Sequence, residues 1–571
     1  MLRSTPALAL FILLTVPLCA QAPAPSPAAT PQATLWAAIG RLQANDLDGA
    51  VAILDQVVAR EPGNGRAWRT LGQAQHRRKQ YDAAIVALSK ALEVEPEMPA
   101  PLYAICLAHA AKGDAEAAFE WLGKARATRR IDLTPAATAP ELAKWQDDPR
   151  LRALLPTAKD FEDPFVEPVK VIREWRGEAA GDQFGWIARN VGDVDGDGVA
   201  DVVTSAPTKP VGGAAAGRVY VYSTKSGRLL WTADGAPGDQ FGTGLEAAGD
   251  TDRDGVPDVI AAAPGGGYAR VLSGRDGRVL LTLSGEAKDD QFGRHASGVG
   301  DVDADGHADL IVGAPNNDAG GADAGRAYVY SGKDGKLLLT LTGQRAGDAF
   351  GSAVAGATTG RHVLLLVGAP SAGERRTGRV AVYTGLGPKP AFHIESDEQG
   401  VALGAMFLAV PGDVDGDGVP DAYASDWAHA AKGPSTGRVY VHSGRDGRRL
   451  LALTGEAAGE GFGTSPSVAG DVDGDGHADL IVGAWQHASA ALGAGRATLF
   501  SGKDGRLLRT YTCRTPGDTF GFDAVTLGDV DADGSSDFLI TSAWSSVNGF
   551  RSGRVFVIAS GVRPERSAAA R

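Results

Sequence analysis

The chain has 571 residues, with 69 acids against 56 bases for a formal net charge of −13, and 77 glycines. That length holds three or four domains, and 43% hydrophobic residues can bury cores rather than leave a disordered chain. The acidic balance excludes a nucleic-acid binder, which needs a basic face to displace counterions, and irregularly spaced glycine excludes collagen. Joint excess of acid and glycine points to many turns that hold carboxylates.

Residues 1–22 read as a secretory signal peptide: Arg3, an apolar run from Ala7 to Leu18, then small residues that allow cleavage after Ala20 or Ala22. The run is too short for a comfortable span, and no later apolar stretch reaches about 18 residues, so the mature chain is expected to carry no transmembrane segment. Cys19 follows the bulky Leu18, which argues against a lipoprotein anchor. The expected location is secreted, periplasmic or cell-surface. Residues 23–33 form a Pro/Ala-rich linker, extended rather than packed. The mature chain keeps only Cys106 and Cys513, so no disulfide framework exists and stability has to come from packing or metal.

Residues 34–156 show a helical pattern with an internal period near 34 residues. The middle copy carries Trp68, Leu71, Gly72, Tyr81, Ala84, Leu88, Ala91 and Pro96; Gly72 and Ala84 let two helices approach, and Pro96 closes the second. The first copy keeps Ala50, Leu54 and Pro62, and the third Leu102, Ile105, Gly113, Ala118, Leu122 and Ala125. The stretch LAKWQDDPRLRALLP reads as a terminal cap helix. These residues resemble the tetratricopeptide repeat family. The resemblance implies an all-α solenoid of three repeats plus a cap, with a concave groove for a protein or peptide. A packed helical spacer is the plainer alternative. His76 and His109 are ordinary helix positions in either case, and 157–168 is a linker.

From 169 to 562 a longer unit repeats. Phe-Gly stands at 184, 241, 292, 350, 462 and 520, at intervals of 51–58 residues apart from one double interval, which places a degenerate seventh copy near Leu403-Gly404. Each copy continues with an acidic loop, an apolar strand such as Asp309–Pro315, a Gly-rich connection, a second strand and an Asp-Gly hairpin. Four short strands repeated seven times point to an all-β seven-bladed propeller. The last copy stops after its third strand, and residues 169–175 form an orphan strand before the first Phe-Gly. The N-terminal strand is therefore expected to complete the seventh blade. Residues 563–571 are a tail.

Six copies carry D-x-D-x-D-G-x-x-D. They are Asp193, Asp195, Asp197 and Asp201; Asp250, Asp252, Asp254 and Asp258; Asp301, Asp303, Asp305 and Asp309; Asp413, Asp415, Asp417 and Asp421; Asp471, Asp473, Asp475 and Asp479; and Asp529, Asp531, Asp533 and Asp537. Carboxylates at positions 1, 3 and 5 can converge on one cation, glycine at 6 permits the turn, and Asp at 9 closes the site. Hard oxygens in a flexible, many-coordinate loop suit Ca²⁺ better than Mg²⁺. An EF-hand would need Glu at position 12, where these loops have Thr204, Ala261, Val312, Ala424, Val482 and Ile540. The fourth copy, GATTGRHVLLLVGAP, has no carboxylates and is expected to bind nothing. About six structural Ca²⁺ ions would bring the formal charge from −13 to about −1.

Phe-Gly, the acidic loop and the Gly-Ala-Pro at 313–315 and 368–370 resemble the FG-GAP repeats of integrin α-subunit propellers. The resemblance covers about 170–560 and implies the propeller fold, calcium in the loops, and recognition on the opposite face. On that face Trp427, Trp485 and Trp544 replace the proline of Gly-Ala-Pro, near His429, His487, Asn548 and Arg551. They form either an aromatic platform for a sugar or peptide or mere packing between blades. No His-Glu-x-x-His, Gly-x-Ser-x-Gly or partnered cysteine is present, so the expectation is no enzyme and no catalytic residue. The expected role is binding, adhesion or assembly with protein or glycan partners. The alternative is a secreted polysaccharide- or lipid-acting enzyme using the same face.

Overall fold

The computed structural model describes residues 34–466 and 468–564. The signal peptide, the linker 23–33 and the end of the tail lie outside the described residues. The chain divides into two compact units, 1–95 and 96–571.

In the first unit, α1 (Leu35–Gln43), α2 (Leu47–Arg60), α3 (Gly65–Arg77) and α4 (Tyr81–Val94) follow one another through short turns. Thr34, Asp46 and Asn64 start three of them, each side chain accepting a backbone N–H of the first turn. Ala38, Leu54, Val57, Leu71 and Ala74 fill the core. Gly72 is the point of closest approach, since a Cβ there would lie 2.5 Å from Cγ of Leu88 on α4.

The second unit opens with α5 (Ala100–Lys112), α6 (Ala115–Thr128) and α7 (Pro149–Leu154). The single cap helix expected from the sequence is instead a 3-10 turn at Pro140–Trp145 and the short α7. Pro149 lacks an N–H, and the Asp148 side chain accepts from Arg150 N at 2.8 Å, so a new helix starts there. Asp132 and Arg130, after α6, fasten this segment to the last blades. The Asp132 carboxylate accepts from Ser546 Oγ at 2.8 Å, and the Arg130 carbonyl from Leu492 N at 2.9 Å.

Seven antiparallel sheets follow, one per repeat, and they form the propeller. Blade 1 is Ala188–Gly192, Asp201–Ala206, Arg218–Tyr222 and Leu229–Asp234, paired in that order. The orphan strand Val171–Arg176 pairs with Arg554–Ala559, so blade 7 is closed by the N-terminal strand as expected. Leu403-Gly404 occupies the Phe-Gly position of blade 5, with Leu403 bridged to Gly378 as Phe350 is to Gly325. Blade 6 departs from the four-strand pattern among the described residues. Its sheet has three strands, and its inner edge is reduced to bridges at Phe462, Val468 and Gly470. Pro466 stands in that edge and cannot donate to a ladder.

The repeated Phe-Gly and Gly-Arg pairs serve one contact between blades. At Gly325, with φ +83°, a Cβ would lie 2.1 Å from the carbonyl oxygen of Phe350; Gly217, Gly437, Gly495 and Gly553 repeat the arrangement. Gly325→Ala combines a left-handed backbone with a backbone clash, and should cost about 2–4 kcal/mol in denaturant unfolding of the propeller. A loss below about 0.5 kcal/mol would show that this contact is dispensable.

Candidate metal centres and the opposite face

Each acidic loop joins the first and second strands of its blade and is anchored by its ninth residue. Asp201, Asp258, Asp309, Asp421, Asp479 and Asp537 are all fully buried at the start of the second strand or just before it. Oδ2 of Asp201 accepts from Val194 N at 2.9 Å and its Oδ1 from Thr224 N, in the hairpin of the same blade, at 3.1 Å. Asp258, Asp309, Asp421 and Asp479 repeat both bonds. Burial pushes the carboxyls of Asp201, Asp421 and Asp479 up to about 6, against these backbone bonds. Among the described residues no hairpin follows the third strand of blade 7, Asp537 Oδ1 is buried without a partner, and burial pushes its carboxyl to about 7.

Inside the loop the carboxylates order the backbone. Asp193 accepts from Gly196 N, Asp197 N and Gly198 N at 2.8–3.0 Å, and Asp197 accepts from Val199 N at 3.0 Å. Glycine at position 6 is left-handed in all six loops, from Gly198 at φ +86° to Gly534 at +86°. Position 4 is left-handed too, although Arg253, Ala304 and Ala532 occupy it in three loops. Oxygens of Asp193, Asp195 and Asp197 lie within 4.8 Å of one another, and the same holds for Asp250, Asp252 and Asp254, for Asp301, Asp303 and Asp309, and for Asp413, Asp415 and Asp421. Oδ1 of Asp250 and Oδ1 of Asp531 are buried with no hydrogen bond. Orphaned carboxylate oxygens in a ring of hard donors fit a Ca²⁺ ion. The fourth blade has a tight turn at Gly360-Arg361 in place of the loop.

The hairpins on this side supply cations that sequence reading missed. Arg278 reaches Asp252 at 2.9 Å, Arg448 reaches Asp415 at 2.6 Å, and Arg506 reaches Asp473 at 2.6 Å. Where blade 7 has no such hairpin, Lys170 of the N-terminal segment takes its place at 2.5 Å from Asp531. His307 and His477, at position 7, each donate Nδ1–H to the loop of the preceding blade, at Thr251 O (2.6 Å) and Val414 O (2.8 Å).

The FG-GAP repeat family matches at residues 184–222, 292–330 and 462–500, each span running from the Phe of Phe-Gly through the acidic loop to the third strand. The propeller carries FG-GAP repeats. A tetratricopeptide repeat family matches at 41–90, over α2–α4. Among curated proteins, integrin alpha-5 of Xenopus laevis is 29% identical over 34% of this chain and 21% of its own length. Integrin alpha-4 of Xenopus laevis is 34% identical over 32% and 19%, and integrin alpha pat-2 of Caenorhabditis briggsae 31% identical over 32% and 17%. The chain thus spans about a fifth of the length of these relatives. No helix among the described residues is long and apolar enough to cross a membrane.

On the opposite face of the FG-GAP propeller, Trp485 and Trp544 meet edge to face at 4.8 Å, and Trp485 packs on Phe522 at 5.7 Å. Trp186 and Phe407, at the start of other inner strands, join the same cluster through Phe522. Trp485 is 3% exposed, whereas Trp427 and Trp544 are half-buried, and the indole N–H of all three is buried without a partner. Trp427 makes no ring contact with the other two. The Arg551 guanidinium lies over Trp544 at 4.3 Å. His429 and His487 point inward, bonded to Asp397 at 2.8 Å and Glu460 at 2.9 Å, and neither imidazole faces solvent. A charged group on the inner strands escaped sequence reading: Arg189, buried between Glu246 at 2.6 Å and Asp523. Burial pushes the nearby His295 down to about 3, so it is neutral.

Proposed function

We propose that the protein is an exported, calcium-stabilised binding scaffold whose propeller engages a protein or glycan partner through the face opposite the acidic loops. The tetratricopeptide segment at 34–156 offers a second surface for a protein or peptide. The observation that carries this reading is the aromatic cluster of Trp186, Phe407, Trp485, Phe522 and Trp544. It gathers side chains from four blades, 1, 5, 6 and 7, on the face that the metal loops leave free, with unpaired indole donors on Trp485 and Trp544. Calcium is structural here, holding the loops of blades 1–3 and 5–7, and metal analysis of the purified protein should find about six ions per chain. The integrin relatives support a role in binding rather than catalysis.

Trp544→Ala, which removes a half-buried ring and its Arg551 contact, is expected to weaken partner capture about tenfold or more. The check is pull-down from surface extracts and glycan arrays with the folded variant. Unchanged capture with an unchanged melting curve would remove the cluster from the binding face.

A further inference from the structure

Blade 2 breaks the rule that the other blades keep. The third strand begins with Arg218, Arg326, Arg379, Arg438, Arg496 and Arg554 in six blades, and each guanidinium is paired with a carboxylate. In blade 2 the first position is Tyr268, and the cation is displaced two residues along, to Arg270. Tyr268 takes up the local acid, donating its hydroxyl to Asp239 Oδ2 at 2.7 Å. Arg270 then lies on ring faces, 4.6 Å from Tyr268 and 5.8 Å from Phe241, with no carboxylate in ion-pair distance among the described residues. It is the one member of the series left without its anion.

The same blade has the shortest connection between second and third strands, residues 264–267 in place of 207–217 in blade 1 or 315–325 in blade 3. The missing residues leave a cavity of about 350 Å³, lined by Gly267, Arg270, Thr282, Ser284, Glu286 and Lys288. Thr282 stands across from Arg270 in the strand register and Ser284 across from Tyr268, so the cation and two hydroxyls share one side of the blade. Lys288 is exposed on the rim with no ion pair among the described residues, while Glu286 is held by Arg326 at 2.7 Å and Tyr328 at 2.9 Å.

We propose that this groove, where the unpaired Arg270 meets the shortened connection of blade 2, binds the carboxylate of a uronate-bearing glycan. A planar guanidinium matches a carboxylate through two parallel N–H bonds. A dianion such as phosphate is disfavoured by Glu286 in the wall. The hydroxyls of Thr282 and Ser284 and the glycine backbone suit a polyol ring. The site lies on blades 2 and 3, away from the tryptophan cluster, and rests on the reading of this face as the binding face.

Calorimetric titration of the calcium-saturated full chain tests it, using a glucuronate-containing tetrasaccharide, its carboxyl-reduced neutral form, and tetraglutamate. The glucuronate form should bind and the neutral form should not. Arg270→Gln should weaken binding about tenfold and the exposed Lys288→Gln about threefold, with Arg270→Lys retaining part of the affinity. Should Arg270→Gln fail to fold, Lys288→Gln carries the test alone. Absent binding, equal binding of the neutral form, or variants that bind as wild type would overturn the proposal. Tetraglutamate binding as tightly would overturn it in favour of an acidic peptide. If capture through the tryptophan cluster persists while the glucuronate series fails, this site falls and the reading of the face stands.

Discussion

Removal of divalent cations is expected to lower the melting temperature of the propeller by on the order of 15 °C. Each loop site occupied at about a hundredfold over its dissociation constant contributes about 2.7 kcal/mol, because the unfolded chain has no preformed site. Six such contributions, spread over a unit of several hundred residues, give a shift of that size. The loops are expected to keep their shape without metal, and the reason is on the same face. Arg278, Arg448, Arg506 and Lys170 already neutralise an outer carboxylate in four loops, and backbone N–H groups satisfy most of the others. These ion pairs are half-exposed and individually weak, so they limit repulsion without replacing a divalent ion. The measurement is calorimetry with calcium, after verified chelation, and after re-addition of the ion. An unchanged melt in the metal-free protein would overturn the assignment of the loops.

Much of this was legible because the sequence repeats itself. A D-x-D-x-D-G-x-x-D string is ambiguous once, but six copies in phase with Phe-Gly fix both the loop and the number of blades. The closing strand was legible from phase alone, since 169–175 had no other sheet to join. What escaped came from positions that break the period or act across it. Pro466 replaces a ladder donor, and among the described residues blade 6 has three regular strands where the repeat predicts four. The left-handed fourth position of the loops is hidden wherever Arg253, Ala304 or Ala532 stands in place of glycine. The pairing of Arg448 with Asp415 crosses 33 residues, and that of Lys170 with Asp531 crosses 361; no local pattern encodes either. His429 and His487 looked available beside their tryptophans, but each is turned inward by an acid from the preceding inter-blade connection, Asp397 or Glu460.

Asp518→Ala is expected to cost about 3–5 kcal/mol, the largest effect of any single substitution argued from this structure. Arg554 is fully buried in the third strand of blade 7, and Asp518, also fully buried, accepts from its Nε at 3.0 Å and from Nη2. The remaining contacts are weaker: Phe161 O at 3.1 Å, Thr515 Oγ1 at 3.3 Å and Glu174 at 3.4 Å. Removing the carboxylate leaves a guanidinium, charged at any accessible pH, fully buried with Glu174 at 3.4 Å as its remaining anion. Glu174 belongs to the strand that closes the ring, so it would be drawn toward the orphaned cation at the expense of its bond to Arg176, 2.7 Å away. Ring closure and the buried pair are therefore coupled. Asp234→Ala provides the comparison, because it breaks a pair made by Arg218, the arginine that opens the third strand of blade 1, with a carboxylate across the strand register, where both side chains are partly exposed. That change should cost under about 1 kcal/mol. Replacing both partners, as in Asp518→Leu with Arg554→Met, should recover most of the loss, since the penalty lies in the unpaired charge rather than in the missing bond. Denaturant unfolding of the three variants decides it: equal losses for Asp518→Ala and Asp234→Ala would mean that the buried cation finds water or another anion.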